Sequence, residues 1–153
     1  MVRNVFKGNP ISRTNYKAET DLVIGMGVVR DYEKKTVGFP KAETADDIYV
    51  VDKERIPTGE ACARTDFSDY EKIFQDVAKG EPVKIDMFAP GTAFAVDQVS
   101  TADAPVKGKR VSVGTDGLWR NATVASRYLY SEDYVDNGHK LIKIEVLDTA
   151  ATN

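Results

Sequence analysis

The sequence predicts a mainly β fold: a small β-barrel or sandwich with one short covering helix over about residues 68–79 and an extended N-terminal arm. Three observations carry this. Short apolar runs rich in β-branched residues recur at spacings of roughly 8–15 residues and are bounded by Gly, Pro and Asx turns. Only one stretch combines a helical start signal, a helical period and a stop signal. The first twenty residues scatter apolar side chains between turn signals instead of alternating them.

With 153 residues the chain has the length of one domain. It divides into an arm (1–20), a β-rich body (21–148) and a frayed tail (149–153). The body reads either as one domain or as a β subregion, 21–58, followed by a barrel, 59–148. In the arm, Gly8-Asn9-Pro10 and Thr14-Asn15 are turn signals, with Val2, Val5, Phe6, Ile11 and Tyr16 between them. A disordered tail is poorer in such residues, so the arm is expected to pack on something, its own body or a neighbour. Leu22 to Val29 is the first strand-like run, with Thr36 to Phe39 as its returning partner, and Ile48 to Val51 is another strand. Ile56-Pro57-Thr58-Gly59 breaks the chain.

The helix starts at a capping box, Ser68-Asp69-Tyr70-Glu71. Tyr70, Ile73, Phe74 and Val77 share one face, and Gly80 and Pro82 stop it. Strands follow. Val83, Ile85 and Met87 alternate with polar residues, and Phe94 and Val96 share a face after the Ala89-Pro90-Gly91-Thr92 turn. Arg110 to Val113 enters an Asp116-Gly117 hairpin that Leu118-Trp119 leaves. Ala125 to Tyr130 and Leu141 to Leu147 flank the second hairpin turn, Asp136-Asn137-Gly138.

Net charge is −3, unevenly spread. Residues 1–20 carry +3 and the rest −6. A basic leader suits an acidic partner surface, but four spaced cations are too few for a nucleic-acid arm and the acidic body opposes phosphate. No apolar run is long enough to span a membrane, and Met1 to Lys7 has no apolar core of a secretory signal. These features predict no direct nucleic-acid or membrane partner.

Chemistry is sparse. One histidine, His139, and one cysteine, Cys62, exclude an internal disulfide and any His/Cys metal site within one chain. Cys62 lies between Ala61 and Ala63, which suits an inert buried thiol. Gly25-Met26-Gly27 follows a strand-like run, but Arg30 occupies the third glycine position of a dinucleotide fingerprint and no amphipathic helix follows. The two glycines are expected to relieve crowding or form a bulge. Asp86, Asp97 and Asp116 lie in or beside strands, and Asp46-Asp47 is a solvated loop. The sequence therefore predicts no catalytic residue, metal or cofactor. The expected binding residues are those of the arm: Val2, Arg3, Val5, Phe6, Lys7, Ile11, Arg13, Tyr16 and Lys17.

A run of phrases carries a resemblance. Gly80-Glu81-Pro82-Val83-Lys84-Ile85 leads to Phe94-Ala95-Val96-Asp97-Gln98-Val99, then to Lys109-Arg110-Val111-Ser112-Val113-Gly114-Thr115-Asp116-Gly117-Leu118. Ser126-Arg127-Tyr128-Leu129-Tyr130 and Leu141-Ile142-Lys143-Ile144-Glu145-Val146-Leu147 complete the order. Over roughly residues 60–148 this resembles the capsid decoration, or cement, proteins of tailed bacteriophages. The resemblance implies a non-enzymatic virion protein, assembled in the bacterial cytoplasm and seated on the outer capsid surface. Its implied partners are the major capsid protein and neighbouring copies of itself, often as a trimer. The alternatives are a receptor- or carbohydrate-binding accessory domain, presenting an aromatic patch such as Trp119, Tyr128 and Tyr134, and a small ligand-binding barrel.

Overall fold

The computed structural model describes residues 1–5, 10–53, 68 and 70–153. In chain order the strands are β1 (Val2–Asn4), β2 (Ile11–Ala18), β3 (Leu22–Val23), β4 (Gly27–Asp31), β5 (Thr36–Gly38) and β6 (Tyr49–Asp52). A helical turn, α1 (Lys72–Gln75), precedes β7 (Asp76–Val77). Then come β8 (Pro82–Met87), β9 (Ala93–Val96), β10 (Arg110–Val113), β11 (Trp119–Asn121), β12 (Ser126–Asp136) and β13 (His139–Ala151). The fold is mainly β, as the sequence predicts.

Five strands close a barrel in the order β2-β5-β4-β6-β8, and six form an antiparallel sheet, β1-β9-β13-β12-β10-β11. Successive strand residues face opposite ways, and β6 uses both faces. Tyr49 and Val51 enter the barrel core with Tyr16, Val28, Val37, Val83 and Ile85. Val50 enters a second core with Phe94, Val113, Trp119, Tyr128 and Ile144 of the long sheet. Burial on both sides explains why Ile48 to Val51 is an unbroken apolar run. Thr44 and Val113 exchange backbone hydrogen bonds, and the Trp119 indole N–H donates to the Gly25 carbonyl at 3.0 Å. These contacts fasten the barrel to the sheet.

The described residues of the segment 1–20 are extended strands built into the body. β1 pairs with β9, Val2 opposite Val96, and β2 is a barrel stave, antiparallel to β8 and parallel to β5. Of the two packing partners left open by the sequence, the described residues use their own body. The helix is also shorter than 68–79. The Ser68 N–H donates to the Glu71 carboxylate, the returning half of a capping box. Yet the chain leaves the helix at Asp76 because β7 pairs with β3, which buries Val77 against Leu22. The apolar run from Leu22 to Val29 is split by a turn at Gly25, so β3 and β4 belong to different sheets. The tail expected to fray continues β13 to Ala151, opposite Ser126. Beyond it, the Asn153 side chain bonds both backbone groups of Arg110. The break at residues 56–59 lies outside the described residues.

Candidate partner-binding surface

Of the nine residues assigned to binding, the seven that are described separate into three groups. Val2 and Tyr16 lie in the molecule's own cores, 7% and 4% exposed, and have no surface to offer a partner. Arg3 and Val5 act as staples. The Arg3 guanidinium donates to Asp136 at 2.7 Å, and Val5 packs against Met1, Ala95 and Leu141. Phe6 and Lys7 lie outside the described residues. Ile11, Arg13 and Lys17 are exposed, although Lys17 is paired through its backbone to both β5 and β8.

The outer half of β2 is a bare edge. One side of it runs along β8, with Ile11 opposite Met87, Ser12 opposite Asp86 and Arg13 opposite Ile85. The other side meets β5 only from Lys17 onward. From Ile11 to Asn15 every side chain is exposed, and that outer edge has no backbone partner among the described residues. The β8 side is firmly anchored. Ser12 donates to buried Asp86 at 2.6 Å, and Lys84 bridges Asp52 and Asp86. Burial pushes the Lys84 ammonium down, but the two carboxylates outweigh it and hold its pKa above the ordinary value.

A second bare edge lies on β12. Tyr130 is the last β12 residue whose outer backbone is paired, through Lys109 and Gly108. From Ser131 to Asp136 that edge meets no described strand, while the inner edge follows β13 as far as the Asn137-Gly138 turn. The two turn residues have φ of 48° and 81°, as the sequence motif requires. Asp133 and Val135 face outward. Tyr134 and Asp136 face the body. Asp136 accepts from Arg3 and, at 2.9 Å, from the Tyr70 hydroxyl, and the exposed His139 ring stacks on Tyr70. Burial works against the Asp136 carboxylate, yet the hydrogen bonds from Arg3 and Tyr70 hold its pKa below the usual range.

No family model matches the chain, and neither do any curated protein or solved structure.

The remaining candidates for chemistry have structural partners. Asp86 is taken by Ser12 and Lys84, Asp97 accepts from the Met1 amino group, and Asp116 is held by the Leu118 N–H and a two-pronged Arg120 contact. Among the described residues, no group of His, Cys, Asp and Glu is arranged to hold a metal ion. No helix among them is long and apolar enough to cross a membrane. Cys62 lies outside the described residues. Trp119 and Tyr128 are core rings and Tyr134 packs against the cluster of Met1, Ala95 and Leu141, so these three form no exposed patch.

Sequence reasoning missed one cluster. Arg30 lies over the rings of Tyr32 and Tyr49, 4.2 and 4.3 Å from their centroids, with Tyr16 beyond at 5.8 Å. The signal was the two-residue spacing of Arg30 and Tyr32 at the end of β4. A cleft of about 610 Å³ beside it has mixed charge: Glu19, Asp31 and Glu33 against Arg30, Lys34 and Lys41. The guanidinium fills the aromatic cage itself, which ties the barrel end together.

Proposed function

We propose that the protein is a non-enzymatic virion structural protein. It binds the outer surface of a tailed-phage capsid after assembly in the host cytoplasm, where it bridges and stabilises major capsid subunits. One observation supports this reading above the others. Well-filled β cores are combined with bare strand edges, Ile11 to Asn15 and Ser131 to Asp136, that offer backbone groups to another chain. The phrase order over residues 60–148 supplies the capsid as target. On a lattice, many modest contacts act together, so weak single interfaces suffice.

The contact cannot be tested by deleting residues 2–16, because that removes β1 and most of a barrel stave. The test keeps the whole chain. The purified protein is mixed with expanded capsids assembled from tailed-phage major capsid proteins, then co-sedimented, imaged and heated. The expected result is density on the outer lattice and a higher particle melting temperature. Protein left wholly in the supernatant at saturating concentration overturns the reading.

A further inference from the structure

We propose that the two bare edges fit each other between copies: β2 of one copy adds antiparallel to β12 of the next, Ile11 opposite Val135 and Arg13 opposite Asp133. This goes beyond the capsid reading and does not depend on it.

Three features converge on that register. The edges are similar in length, Ile11 to Asn15 against Ser131 to Asp136, and neither has a backbone partner among the described residues. Ile11 and Val135 are large apolar side chains left at the surface, 52% and 64% exposed. Residues two apart share a face, so the register that joins Ile11 to Val135 also brings Arg13 to Asp133. The irregularities in the two strands fall after Arg13 and before Glu132, so Ile11 to Arg13 and Asp133 to Val135 are regular.

Charge selects this pairing over the others. Arg13 is the sole charge on the bare part of β2. The bare part of β12 carries Glu132, Asp133 and Asp136 and no cation. Glu132 is held by Lys143 at 2.5 Å and Asp136 by Arg3 at 2.7 Å. Asp133 has one exposed ammonium, Lys107, at 3.4 Å, and a hydrogen bond from Tyr130. It is the carboxylate most open to a further cation. Two β2 edges centred on each other would set Arg13 against Arg13, and two β12 edges would crowd three carboxylates from each copy together with no cation between them. Like charges directly opposite destabilise a strand pair, whereas opposite charges and apolar pairs stabilise it. Because the two surfaces differ, the contact is heterologous. Repeating it closes a ring, such as a trimer, or extends a chain.

Light scattering and sedimentation of the isolated protein over a concentration series test the proposal without capsids. Association of the natural chain is expected. Arg13→Asp and Asp133→Arg should each weaken it by about tenfold or more, and the combined reversal should restore it. Circular dichroism confirms that each variant is folded. In a Cys62→Ser background, Ile11→Cys mixed with Val135→Cys should give a disulfide-linked pair under mild oxidation. Neither single-cysteine protein should do so alone. A natural chain that stays monomeric at its highest soluble concentration overturns the pairing, as does a double reversal without rescue. Self-association without capsid binding removes only the capsid reading, and capsid binding by a monomer removes only the pairing.

Discussion

Asp136 shows how one side chain can hold three distant segments. Its carboxylate gathers Arg3 from the first strand, Tyr70 from before α1 and its own hairpin end. Because its folded pKa lies below the ordinary 3.8, the unfolded chain takes up the proton first as pH falls. The stabilisation is therefore present above that value and lost as pH drops through the folded pKa. Asp136→Asn is expected to cost on the order of 1 kcal/mol at neutral pH. It should also flatten the loss of stability below pH 3.8, measured by urea unfolding across an acid series. The sequence shows Asp136 only as a turn residue, because its partners are far away in the chain. The glycines are similar. Crowding at Gly25 and Gly27 was legible, but not its sources: a side chain at Gly27 would overlap the Val113 methyls, and one at Gly25 the Met1 carbonyl.

At the scale of elements, hairpins were the most legible because their turns are written in adjacent residues. β12 and β13 meet at Asn137-Gly138, and β10 and β11 at the Asp116-Gly117 loop, as expected. β2 was not legible. Only Tyr16 and Ala18 point inward, and the five exposed residues before them give no alternation to read. The helix was half legible. Its start signal and the burial of Phe74 and Val77 are real, but Ile73, on the face expected to be buried, is 67% exposed. One turn cannot maintain a continuous apolar face once β7 draws the chain away. Ile73→Ala should therefore shift stability by less than about 0.5 kcal/mol. Phe74→Ala should cost about 3 kcal/mol. Chemical denaturation midpoints distinguish them, and equal losses would contradict the placement of α1.

The whole molecule has two main cores that share β6 as a common wall. Trp119, the only tryptophan, is fully buried in one of them and bonded to the Gly25 carbonyl where the barrel begins. Its fluorescence therefore reports the seam between barrel and sheet. With a shared strand, the two parts should unfold together, so fluorescence and circular dichroism transitions are expected to coincide. Separated midpoints would show two independently stable halves. This architecture was legible as a class, barrel or sandwich. Its strand order was not, because that order joins residues far apart in sequence. The same long reach has a consequence for how the protein is made. Val2 waits for Val96 and Ile11 for Met87, so β1 and the outer half of β2 stay unpaired until those distant strands leave the ribosome. During that interval their open backbone groups are exposed to neighbouring nascent chains, so misassembly competes with folding before the strands find their partners.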